Sequence, residues 1–244
     1  MTAEAGGYNM RLIPLISAAL IVSASGSSFA QEWVEFANMQ DRFTCNFPSQ
    51  PKITETIFHS ERGADLPMRT YSAAQGQSRY SVTVIDYTQD RKILAEKAKK
   101  CPPGAEPCSG AAGNEGHWID DMRGAIIYAS WQFMKRDGKL TSLEWNLVDQ
   151  VEGQQLQLTN ADKSRTFAGI YMHENKLYII EGTVPAGYPE PGLFQQSLGW
   201  LDENGLGLRY QSVYSNNYPA PPRVKRDREQ QGQGRIDAPV TPPR

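Results

Sequence analysis

The side chains best suited to chemistry in this 244-residue sequence are three histidines, three cysteines and the adjacent aspartates Asp120-Asp121. A zinc protease site needs two His at i and i+4 around a Glu, and His59, His117 and His173 do not supply that spacing. The mature region has no Gly-x-Ser-x-Gly elbow, no phosphate-cradling Gly loop and no EF-hand spacing. Asp120-Asp121 is a carboxylate pair in sequence, but neighbours point apart on a helix or strand, so it reads as solvated surface. His173-Glu174 reads as exposed polarity at a hairpin tip. Trp131 and Trp145 suit core packing or the wall of an apolar ligand pocket.

Cys101 and Cys108 bracket CPPGAEPC. In an oxidising compartment such a pair is expected as a disulfide. A metal site would need further ligands nearby, and redox catalysis uses Cys-x-x-Cys instead. Cys45 alternates with Phe43 and Phe47, the pattern of a buried thiol on a strand. No catalytic, cofactor-binding or metal residue is therefore assigned, and no cofactor is expected. Motif absence does not exclude an enzyme whose site is assembled from distant residues.

Residues 10–30, MRLIPLISAALIVSASGSSFA, carry Arg11, an apolar run from Leu12 to Val22, and Ser28 and Ala30 at −3 and −1 of a cleavage site. This is the pattern of an export signal over residues 1–30, too short to span a bilayer, with Gln31 as the expected mature N-terminus and Met10 as an alternative start. A periplasmic or secreted location is the resulting expectation. The composition, 39% hydrophobic and 21% charged, is that of a globular domain. The net charge of −2 gives no basic field for nucleic acid. Beyond Tyr210, six basic residues (Arg223, Lys225, Arg226, Arg228, Arg235, Arg244) against three acidic ones (Asp227, Glu229, Asp237) give the tail +3, which leaves −5 on residues 31–210. Residues 211–244 are Pro- and Gln-rich and read as a disordered basic tail able to touch anionic surfaces weakly.

Alternating apolar residues predict strands over 42–47, 53–59, 66–74 and 79–87, then an amphipathic helix over 90–100. Residues 101–116 read as a loop. Ala125, Ile127, Ala129, Trp131 and Phe133 alternate along a strand, joined to one over 141–147 by a three-residue turn with Gly138 at positive φ. A helix over 118–134 is the second reading of the same residues. Three more strands are expected over 154–159, 166–172 and 176–184. The last two form a hairpin at Glu174-Asn175, pairing Ile170 with Ile179 and Tyr171 with Tyr178. Both faces of this part are apolar, so both need covers, one of them a helix over 191–201. The expected fold is α+β: an antiparallel sheet of about eight strands sandwiched by a few helices.

Phe47-Pro48 followed by Pro51, the run Arg165-Thr-Phe-Ala-Gly-Ile-Tyr-Met-His-Glu-Asn-Lys-Leu-Tyr178-Ile-Ile, and Leu193-Phe-Gln-Gln-Ser-Leu198 resemble the PsbP-like domains of secreted bacterial proteins. The resemblance covers about residues 32–210 and implies an antiparallel sheet between helices. It transfers no catalytic or ligand residue and implies an accessory role. The resulting expectation is a non-catalytic periplasmic module that binds an envelope protein or a small ligand. An enzyme with a dispersed site and an envelope tether acting through the tail are the alternatives.

Protein purified from its native host and alkylated without reduction after unfolding should show a mass beginning at Gln31 and carrying a single adduct, on Cys45. A full-length mass, or three adducts, would refute the export or the disulfide expectation respectively.

Overall fold

The structure is a computed structural model that describes Thr2 and residues 33–100, 117–216 and 222–225. The chain separates into Met1–Ala30 and Gln31–Arg244, and all described strands and helices belong to the second unit. The export signal and the Cys101–Cys108 pair lie outside the described residues.

A seven-stranded antiparallel sheet forms the centre. Its strands are β3 (Lys52–His59), β4 (Asp65–Gln75), β5 (Ser78–Asp86), β6 (Gly138–Val148), β7 (Val151–Asn160), β8 (Arg165–His173) and β9 (Lys176–Val184), in the order β3-β4-β5-β9-β8-β7-β6. The hairpin at Glu174-Asn175 has the expected register, Ile170 opposite Ile179 and Tyr171 opposite Tyr178. Both turn residues adopt positive φ, as a two-residue hairpin requires.

Both faces of this sheet are covered. On one, Leu66, Ile85, Leu156, Ala168, Ile170 and Leu177 pack with α1 (Asp90–Lys99) and α2 (His117–Met134). On the other lies a second antiparallel sheet of β1 (Val34–Asn38), β2 (Phe43–Phe47), β10 (Gly199–Leu201), β11 (Gly207–Tyr210) and β12 (Arg223–Lys225), ordered β1-β2-β10-β11-β12. Between the sheets sits an aromatic core that includes Phe43, Phe47, Tyr71, Tyr178, Trp200 and Tyr210.

Several expectations are corrected. Residues 125–134 are helical, so no hairpin joins them to β6. Gly138 opens β6 opposite Asn160 and is absent from the glycines with positive φ. Ala125, Ala129 and Phe133 are four apart, a spacing that fits a strand face and a helix face equally; Met122, buried with them, extends the helical stripe. The small alanines let the helix lie close on the sheet. The helix expected over 191–201 is a single turn, α3 (Gly192–Gln195), after which Gly199–Leu201 pairs with β2 and β11. Twelve strands in two sheets replace the expected eight among the described residues. The folded part also continues past Tyr210: Tyr214 is buried and β12 pairs with β11. The rest of the tail lies outside the described residues.

Two glycines fix the approach of β7 and β8. A Cβ on Gly153 would stand 2.2 Å from the Ile170 carbonyl oxygen and 2.3 Å from Tyr171, whose ring lies across both Gly153 and Gly169. Gly153→Ala should destabilise the fold by about 2–3 kcal/mol through overpacking against backbone. Gly192→Ala, where nothing lies within 4 Å of the added carbon, should be silent in the same thermal melt. Equal melting temperatures for the two variants would contradict this packing.

Candidate functional site

Cys45, His173 and Asp41 are enclosed by the fold. Cys45 is buried in β2, and burial pushes its thiol up to about 12, against hydrogen bonding to Ser197 and Asn46. A thiol held neutral in this way is a poor nucleophile. His59, by contrast, is exposed and bonded to Asp65 at 2.7 Å. The side chain of His117 lies outside the described residues.

His173, expected on the surface, is fully buried at the end of β8. Its Nε2 lies 2.8 Å from the Tyr210 hydroxyl, and its ring lies tilted against Trp200 at 4.7 Å between centroids, with Tyr214 at 5.1 Å. Nδ1 has no partner. Burial, reinforced by the charges of Arg223 and Arg42, lowers its pKa to about 3. Glu174 beside it is half-buried and binds Arg42 at 2.8 Å and Arg223 at 2.6 Å. The imidazole is therefore a neutral part of the aromatic core.

Asp41, in the turn between β1 and β2, is also fully buried. It accepts hydrogen bonds from Arg69 Nε at 2.6 Å, a second Arg69 nitrogen, and the Tyr71 hydroxyl at 2.6 Å; Lys176 Nζ lies at 3.2 Å. Burial raises its pKa, but these hydrogen bonds and charges outweigh burial and hold the carboxyl below the usual range. No local sequence pattern marks these residues, because the four come from three separated segments.

Asp120 and Asp121 do point apart, but only Asp120 is exposed; Asp121 is buried. Among the described residues, no group of three or more His, Cys, Asp or Glu is arranged to hold a metal ion. A cleft of about 840 Å³ opens on the helix side of the sheet, where Thr70, Ser81, Thr166 and Thr183 project and Arg136 pairs with Glu181. A second, of about 430 Å³, lies between α3 and the edge of β6, lined by Asn146, Gln155, Tyr171 and Gln195. Neither gathers the buried Cys45, His173 or Asp41.

What stands out at the surface is apolar. Trp131 on α2 is 48% exposed and Trp145 on β6 is 63% exposed, so neither is core. Ile127, Met134 and Leu143 are exposed as well. These residues share one region. Leu143 pairs with Leu156, which faces the helices, so Leu143 and Trp145 project from that face too. Trp145 pairs with Gln154, which accepts a hydrogen bond from Ser130 of α2 at 2.6 Å. Ile127 and Met134 stand three before and four after Ser130, on its side of the helix. The result is an apolar strip along α2 beside an apolar edge strand. β6 has a strand partner on one side only among the described residues and so forms an edge of the sheet. Lys135 Nζ lies 4.0 Å from the Trp131 ring and leaves much of it uncovered.

No family model matches the sequence, and no curated protein does. Among solved structures, the solution structure of cyanobacterial PsbP (CyanoP) from Synechocystis sp. PCC 6803 is similar, with 12% identity and a TM-score of 0.37, covering 73% of this chain and 98% of that one. At that level the likeness transfers no residue role, and any functional reading rests on the chain's own geometry. No helix among the described residues is long and apolar enough to cross a membrane.

The buried imidazole makes its own contribution to the acid response. Its folded pKa lies below the ordinary 6.5, so the stability it contributes is lost as pH falls from about 6.5 towards 3, by about 1.4 kcal/mol per pH unit. His173→Gln keeps an acceptor for Tyr210 without titrating. Melting scans should show a flatter acid arm for the variant, and parallel arms would mean that the imidazole is not held neutral.

Proposed function

We propose that this chain is a non-catalytic binding module that engages a protein partner through the apolar strip of α2 and edge strand β6. The observation that carries the reading is the joint exposure of Trp131 and Trp145 on adjoining elements, with Ile127, Met134 and Leu143 filling the surface between and around them. Exposed tryptophans are rare on surfaces that stay wet and frequent where a partner buries them. The partner suited to this surface is an extended segment that adds a strand to β6 and turns alternate apolar side chains towards α2. The sequestered thiol, imidazole and Asp41 carboxylate support binding over catalysis. Export to the periplasm, expected from residues 10–30, would set the compartment in which that partner is met.

A photo-crosslinking side chain placed at Leu143 in the native host should capture a discrete protein, whereas one at Glu55, on the opposite edge of the sheet, should not. Replacing both Trp131 and Trp145 with Ala should abolish that adduct and shift the melting temperature by no more than about 2 °C, since both rings are already wet. Capture that survives the double replacement, or equal capture at Glu55, would overturn the reading.

A further inference from the structure

The helix side of the sheet encloses a pair of acids that sequence spacing does not connect. Asp90 is the first residue of α1 and is fully buried; Asp121, in the first half of α2, is buried as well. The two carboxyl groups lie within hydrogen-bonding reach of each other. Asp121 is provided for: Ser60 Oγ donates to one oxygen at 2.5 Å and the Arg62 backbone N–H to the other at 3.2 Å, both from the turn between β3 and β4. Neither oxygen of Asp90 receives a hydrogen bond, and the buried Tyr87 hydroxyl just before α1 has no partner either.

Two carboxylates cannot satisfy one another, because both only accept. One proton between them changes this. A protonated Asp90 donates to Asp121, which then has a donor from α1 in addition to those from the β3–β4 turn. The other groups facing the pair sharpen the choice. Glu61 from that turn adds negative charge, and Arg62 contributes a partly offsetting positive one. The Tyr87 hydroxyl adds no charge: burial first, then the acids Asp121 and Asp90, hold its pKa well above the ordinary phenol range. The N-terminus of α1 favours an anion, yet neither Asp90 carboxyl oxygen has a hydrogen-bond partner, so the helix end supplies no direct donor.

We propose that Asp90 and Asp121 form a one-proton acid pair that pins α1 to α2, so that the helical layer is held most tightly when the pair is protonated and loosens as it ionises. The inference rests on this geometry and is independent of the partner surface proposed above. Burial, followed by the neighbouring Asp121, raises the Asp90 pKa to about 7, which places ionisation near neutrality. Linkage fixes the sign. A carboxyl whose folded pKa exceeds its unfolded value of 3.8 contributes stability that is complete below that value and is lost as pH rises through the folded pKa.

Asp90→Asn supplies a permanent N–H donor in place of the acid. The difference in melting temperature, variant minus parent, should grow in the variant's favour from about pH 4 to pH 7 and then level off, because ionisation of the parent stops adding to the penalty there. Taking the difference removes the contributions of groups common to both proteins. Carboxyl-carbon NMR of the parent is the second measurement and does not depend on the variant folding. One member of the pair should titrate more than about two pH units above an ordinary aspartate. A melting difference that does not change with pH, or two carboxyls that both titrate below about pH 5, would overturn the proposal.

Discussion

The placement of the small sheet on the large one depends on the buried carboxylate of Asp41. It lies in the turn between β1 and β2, while its donors come from the large sheet: Arg69 and Tyr71 from β4 and Lys176 from β9. The Tyr178 hydroxyl adds a hydrogen bond to the Asp41 carbonyl at 2.7 Å. Taking a carboxylate out of water is costly, and removing one partner of such a set typically costs about 3–5 kcal/mol. The set therefore specifies position more than it adds net stability: only one placement of the turn meets all the donors. With the turn fixed, Phe43 meets Tyr71 at 5.0 Å and Tyr178 at 6.3 Å, and β2 is presented to β10 from the far end of the chain.

The two faces of the large sheet solve packing differently. The space between two stacked sheets is about 10 Å deep and is filled here by rings: Phe36, Phe43, Phe47, Tyr71, Tyr178 and Trp200. The helix side is mainly aliphatic, with Ala125 and Ala129 lowering α2 onto Leu156, Leu158 and Ile170. Rings with polar tips need partners when buried, and the aromatic face provides them: Trp200 Nε1 donates to the Val148 carbonyl at 2.9 Å, and the Tyr210 hydroxyl meets His173. This explains why a histidine joins the tyrosines in the core. An imidazole is a small flat ring that packs against Trp200 and engages a phenol.

How much was legible depends on the range of the interactions. The strands over 53–59, 66–74, 79–87 and 176–184, and the register at Glu174-Asn175, rest on alternation and turn chemistry within a few residues, and they stand as read. The helical nature of 125–134 was obscured because residues four apart satisfy both periods. Of the second sheet only the strand over 42–47 was legible, since its pairing joins Phe43 with Trp200 and β10, β11 and β12 are three or four residues long. His173 and Asp121 illustrate the same limit at single residues. Position beside a turn, or beside another acid, suggested solvent for each, and only the folded chain brings Trp200 over the one and Asp90 against the other. The tryptophans failed in the opposite direction: alternation placed Trp131 and Trp145 inside, where the helix and the open edge of the sheet leave them outside.

Asp90 and His173 occupy opposite faces of one sheet and carry opposite linkages to pH. Between pH 3.8 and about 7 the folded chain holds a proton on the acid pair more firmly than the unfolded chain does, so that face loses stability as pH rises. Between about 3 and 6.5 the imidazole is protonated in the unfolded chain first, so the aromatic face gains stability over much of the same range. The two slopes oppose each other where they overlap. Global stability can then stay nearly level through mildly acidic pH while the balance between the faces moves: helices tighter and aromatic core weaker on the acid side, and the reverse towards neutrality. Because the Trp131 strip lies on α2, the face that tightens in acid is also the one that carries the exposed apolar surface, and local stability there is set by a proton held between α1 and α2.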